Sequence, residues 1–161
     1  MTLSLRHKLT LILFLFALVV SGTSSVLYFH ITSQRAHADM RQRLIDMVAI
    51  ARSAIDVEAH DRLREQSQEG SADYLRIKKA LQKVQGAAKD IHFIYTMRLT
   101  KGDQIGFVVD AETDPEALAH LGDIYQEPSP LLASAFPAMT KPVAEEKVYT
   151  DEFGTWLSGY A

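Results

Sequence analysis

Tyr95, Arg98, Asp110, Tyr125, Trp156, Ser158 and Tyr160 have the side-chain types that a small-molecule site needs. Aromatic rings wall such a site and a few placed polar groups orient what enters it. An arginine in or ending a strand can hold a carboxylate through two parallel hydrogen bonds. Trp156, Ser158 and Tyr160 alternate onto one face of an extended segment, as residues with a shared role would. Each also has a plainer reading. Tyr95 and Trp156 fit a core, Arg98 can run its stem over apolar surface to solvent, and Asp110 can cap the loop that follows it.

Catalytic chemistry is harder to find. The chain has no phosphate-binding glycine loop, no dinucleotide fingerprint, no zinc-protease helix and no nucleophile elbow. His7, His30, His37, His60, His92 and His120 are scattered, none three or four residues from another, which is not metal-ligand spacing. Asp110, Asp114, Asp123, Asp151 and Glu152 could form an acid–base pair in space, but no spacing singles one out. Cysteine is absent, which excludes disulfides, thiolate ligands and a cysteine nucleophile. A formal net charge of −3 leaves no basic footprint for nucleic acid. The chain therefore reads as non-catalytic, without cofactor or metal.

The elements that must position these residues fall into four stretches. After a short basic head at 1–8, residues 9–31 form an apolar span, with Arg6 and Lys8 before it and Tyr28 and His30 near its far end. About 20 helical residues cross about 30 Å of hydrocarbon, so this is a membrane-helix pattern. A cleaved signal peptide ending near Ser21 and Gly22 is the alternative; the resumed apolar run at 26–29 favours an anchor. Ala17, Ser21 and Ser25 form a row of small residues on which two such helices could approach.

Residues 32–70 continue as a long helix. Met40, Leu44, Met47 and Ala51 recur at heptad-like spacing, a stripe suited either to a partner helix or to the domain's own core. Gly70 and Ser71 break it, with Ser71 as N-cap of a second helix carrying Tyr74, Ile77, Leu81 and Val84. The period then changes to two. Residues 91–99 and 104–110 form a hairpin about Lys101, Gly102 and Asp103, with Ile105, Phe107 and Val109 expected on one face. An irregular acidic connection covers 114–130, a short helix interrupted by Pro137 follows, and 147–161 reads as strand, turn and strand about Asp151, Glu152, Phe153 and Gly154. The fold class is α+β.

This order of anchor, long helix, second helix and hairpins, with Ile91-His92-Phe93-Ile94-Tyr95-Thr96-Met97-Arg98, Phe107-Val108-Val109-Asp110-Ala111, Leu121-Gly122-Asp123-Ile124-Tyr125 and the segment 148–161, resembles the extracytoplasmic Cache (PDC, PAS-like) sensor domain of bacterial transmembrane receptors. The resemblance implies a long helix against an antiparallel sheet with a ligand pocket on one face, a periplasmic position and a cytoplasmic output. The family's final strand and exit helix are missing after Ala161, so 71–161 reads as a sensor core cut short. The residues named at the outset carry over as pocket lining.

The expectation is an input domain of a membrane receptor, whether histidine kinase, nucleotide cyclase or chemoreceptor. It would be anchored in the bacterial inner membrane and paired as a homodimer through its membrane helix and the Met40, Leu44, Met47 and Ala51 stripe. The alternative is a secreted or anchored binding protein with no output. An enzyme using Asp110 or Arg98 comes third.

Overall fold

The computed structural model describes residues 4–88, 90–151 and 154–161. Helix α1 runs Leu5–Ala54, followed by α2 (Val57–Arg62), a 3-10 turn at Gln66–Gln68 and α3 (Ala72–Ala87). The strands are β1 (Tyr95–Leu99) and β2 (Ile105–Asp110); helix α4 (Pro130–Ala135) and a 3-10 turn at Phe136–Ala138 separate them from β3 (Val143–Ala144), β4 (Tyr149–Asp151), β5 (Gly154–Trp156) and β6 (Gly159–Tyr160). The architecture is α+β, a long N-terminal apolar helix followed by small antiparallel sheets. Residues 1–40 and 41–161 form separate compact units.

In the first unit, α1 is apolar and long enough to cross a membrane. The Thr23 hydroxyl donates to the carbonyl oxygens of Val19 and Val20, so this polar residue is satisfied within its own helix. Part of the basic head, residues 1–3, lies outside the described residues.

The second unit begins with the last turns of α1. The predicted helix to residue 70 is shorter than expected and ends at Ala54. Asp56 adopts extended backbone and its carboxylate accepts from Ala59 N at 3.0 Å, starting α2 as a new helix. Ser71 caps α3 as its sequence predicts, accepting from Tyr74 N at 3.3 Å.

All six residues of β2 are buried, so it serves two cores. Val108 and Val109 join Ala51, Ala59, Leu63, Ile77, Leu81 and Val84 on the helical side. Ile105 and Phe107 join Tyr95, Met97, Tyr125, Leu132 and Tyr160 on the other. Val109 thus departs from the face expected of it. The pairing shifts between Thr96 and Met97, which leaves Val108 as an extra residue and reverses the alternation beyond it. The predicted turn has Gly102 at φ 104° and Asp103 at φ 59°, left-handed values that glycine and aspartate tolerate.

The connection after Asp114 is more ordered than its sequence predicts. Gly122 N donates to Phe107 O, Phe107 N to Asp123 O, and Tyr125 N to Ile105 O, at 2.8–2.9 Å. Residues 122–125 thereby cover the open edge of β2. β3 pairs with β6, and β4 with β5 in the register Tyr149↔Trp156. Glu152 and Phe153, of the predicted turn, lie outside the described residues.

The heptad-like stripe is largely taken up within the chain. Ala51 is buried in the helical core with Met47 packed against it, whereas Met40 is 54% exposed. Leu44 meets β6, where a Cβ on Gly159 would stand 3.1 Å from Leu44 Cβ and 3.3 Å from Leu44 O. Gly159→Val should therefore cost about 1–3 kcal/mol, read by thermal melting, with Gly159→Ala losing less. An unchanged melting temperature for the valine variant would contradict this close approach.

Candidate functional site

The residues gathered around Tyr149 come from the edge segment, the start of α4 and strands β3 to β6. Tyr149 belongs to β4 because the Tyr-Thr-Asp run alternates, its side chain falling on the same face as that of Asp151. Its hydroxyl lies 3.0 Å from Ser158 Oγ, 3.4 Å from Tyr160 OH and 3.5 Å from Tyr125 OH. Tyr125 donates a short hydrogen bond to Asp151 Oδ2. Asp151 Oδ1 accepts from Gly154 N and Trp156 Nε1, both at 3.1 Å.

A second carboxylate closes the other side. Glu145 follows β3 and is 9% exposed. Its Oε1 accepts a short hydrogen bond from Ser129 and lies 3.3 Å from Tyr160 OH. Ser129 is the N-cap of α4, accepting from Leu132 N at 3.0 Å while its hydroxyl proton goes to Glu145. The arrangement is a mutually hydrogen-bonded set of phenols, hydroxyls and two carboxylates, with Tyr125, Ser129 and Glu145 buried and the others half-buried.

Electrostatics follow from that burial. The Tyr125 hydroxyl is pushed far above the ordinary phenol range, by desolvation first and then by Asp151 and Tyr149. Desolvation also raises Tyr160 and Tyr95. All three remain neutral hydroxyls at physiological pH. They can donate and accept hydrogen bonds but none is an activated base or nucleophile. Among the described residues no group of His, Asp and Glu is placed to hold a metal ion.

Of the residues expected to line a pocket, Tyr125, Trp156, Ser158 and Tyr160 meet here. Tyr95 adjoins them: its ring stands edge-on to Phe107 at 5.0 Å, and Phe107 lies 5.6 Å from Tyr125. Trp156 also stacks on His92 at 5.4 Å and meets Phe93 edge-on at 5.1 Å. A half-open groove of about 530 Å³ lies beside Tyr125, with Leu99, Gln104, Ile105, Ile124 and Phe136 in its walls.

Arg98 and Asp110 stand elsewhere. Arg98 donates to the main-chain carbonyl of His60 in α2. Asp110, 4% exposed, accepts from Glu112 N and Ala119 N, both at 3.0 Å, and so braces the loop after β2. Ser129, Glu145 and Tyr149 are not among the residues expected to line a site, and Asp151 is expected only as one carboxylate of a possible acid–base pair. The strand register Tyr149↔Trp156 offered a signal for Tyr149; nothing in the sequence around Glu145 marks it as buried.

The same strands reach α1. Arg41 donates from Nε to Glu145 O at 2.8 Å and from Nη2 to Ala144 O at 3.1 Å. Glu145 N donates to Ser158 O at 2.9 Å, continuing the β3–β6 pairing. The chain matches no known family model, no curated protein and no solved structure.

Proposed function

We propose that the chain is a membrane-anchored input module that senses a small ligand on behalf of a signal-transduction receptor. One observation carries the reading: the polar cluster sits on strands that are fastened directly to α1. Glu145 presents its carboxylate to Ser129 and Tyr160 and its carbonyl to Arg41, and β6 brings Tyr160 into the cluster while its Gly159 packs on Leu44. A ligand that exchanges hydrogen bonds with the phenols would move β3 and β6, and with them the turn of α1 at 41–44. Only unequal affinity for two arrangements produces a signal, and complete switching takes about 5.5 kcal/mol of it.

In this reading the sheets and their helix form a PAS-like sensor of the Cache type, outside the cytoplasm of a bacterial cell. The receptor's output, a histidine kinase or nucleotide cyclase, is a separate part. The apolar portion of α1 anchors the module in the inner membrane, and two copies pair through that helix and Met40. Leu44, Met47 and Ala51 are spent on the domain's own packing.

The test is a thermal-shift screen of organic acids, amines and sugars on the whole chain in nanodiscs, paired with spin-label distances between residues at position 40. A binder should raise the melting temperature and change the distance. Tyr160→Phe, which removes one hydroxyl from the cluster, should weaken binding about tenfold. A binder whose affinity is untouched by Tyr160→Phe and Glu145→Gln would place the ligand elsewhere. Binding with no change at position 40 would favour an anchored binding protein without output.

A further inference from the structure

Arg98 and His60 make a contact that the ligand-sensing reading does not use. Arg98 projects from β1 toward α2, where its Nη2 donates to His60 O and lies 3.3 Å from His60 Nδ1. A guanidinium can only donate, so Nδ1 must be the accepting nitrogen and the ring's single proton must sit on Nε2. His60 Nε2 is buried with no hydrogen-bond partner, and so are Nε and Nη1 of Arg98. No carboxylate lies within ion-pair distance of Arg98 among the described residues. The ring half of this tie between α2 and β1 therefore requires a neutral His60, while the bond to His60 O is made by the main chain, and the unsatisfied donors around the ring leave little surplus energy to hold the contact shut.

We propose that the Arg98–His60 contact is an acid-sensitive latch, holding the last turn of α2 to β1 and releasing it when His60 takes up a second proton. Protonation places a hydrogen on Nδ1, the atom that faces Arg98, and sets two half-buried cations side by side. The charged groups facing His60 are Arg98 from β1 and Asp61 and Arg64 from its own segment. Asp61 favours the imidazolium, but Arg98 and Arg64 oppose it, and Asp61 is itself partnered by Arg64 at 3.7 Å.

Burial, then the Arg98 charge, lowers the His60 pKa from its ordinary 6.5 to about 4. A histidine depressed on folding contributes stability that is complete above 6.5 and fades as pH falls toward 4. Release would free α2, which is joined to α1 by only two residues, and so loosen the corner at Ile55 and Asp56. The domain would thereby respond to acid independently of any ligand at the tyrosine cluster.

Hydrogen–deuterium exchange of the amides at 57–63, measured on the whole chain in nanodiscs from pH 7.5 to 4.5, tests the latch. Protection of α2 should fall about tenfold across this range, after allowance for solvent screening of a partly exposed ring. His60→Gln keeps a neutral acceptor for Arg98 and should stay flat; Arg98→Gln should show the lowered protection already at pH 7.5. Wild-type protection that holds to pH 4.5, or an equal fall in His60→Gln, would overturn the proposal. Should the glutamine variant fail to fold, an NMR titration of the His60 ring in the wild type decides. A midpoint well below 6.5 supports the latch, and one at or above 6.5 removes it.

Discussion

Leu81→Ala is expected to destabilise the 41–161 unit by about 2–5 kcal/mol, as truncation of a fully buried leucine in the helical core should. Leu81 is 1% exposed on α3 and shares its core with Ile77, Val84, Ala51, Val108 and Val109, contributed by α1, α3 and β2. Removing its side chain abolishes the transfer free energy of the buried carbons and leaves a void that three separate elements would have to collapse to fill. Leu81→Met, which conserves volume, should cost less than about 1.5 kcal/mol. Thermal melts of the two variants in detergent, followed by circular dichroism, provide the comparison. Equal losses would mean that the site is not close-packed.

Asp110→Ala should lower stability by about 2–4 kcal/mol, because both carboxylate oxygens accept from main-chain N–H groups that would be left without partners. The bonds to Glu112 N and Ala119 N fold the loop back under the sheet, and with it the edge segment that carries Tyr125. Asp110→Asn preserves one acceptor and turns the other into a donor facing an N–H, so it should recover only part of the loss. Burial is the largest influence on this carboxyl and raises its pKa above 3.8. Its protonated form therefore contributes stability in acid that is lost as the group ionises with pH rising through the folded value, a slope opposite in sign to that of His60. Urea titrations at two pH values separate the contributions. An Asp110→Ala variant as stable as wild type would show that the loop is held by other contacts.

Much of this fold is legible in residue patterns, and the gaps have identifiable causes. The spacing of Tyr74, Ile77, Leu81 and Val84 fixes the buried face of α3, and Ser71 marks its start. The hairpin was legible from alternation and its Lys-Gly-Asp turn. The corner at Ile55 and Asp56 was not, because the apolar periodicity runs on through it and only the capping aspartate betrays the break. Val109 was misplaced by a bulge, which depends on partner strand geometry and has no local code. Residues 122–125 read as irregular because their order comes from hydrogen bonds to β2, not from their own pattern.

At the site, alternation along β1 already sets Arg98 opposite Tyr95 and Met97. The period of two along β1 therefore separates it from Tyr95. Asp110 followed the other reading open to it, as the brace of a loop. Glu145 was invisible for a different reason. A charged residue in a charged stretch is ordinarily solvated, and only the arrival of Ser129 and Tyr160 from distant positions makes its burial tolerable.

Arg41 grips two carbonyl oxygens, and a carbonyl is the same whatever side chain its residue bears. On the proposed sensing reading, recognition and transmission would be separated within Glu145 itself, its side chain serving one and its backbone the other. Over generations, or at the bench, the side chain at this position could be exchanged while the grip on its backbone persists. If the chain is the sensor proposed above, it could change what it listens for without relearning how to report it.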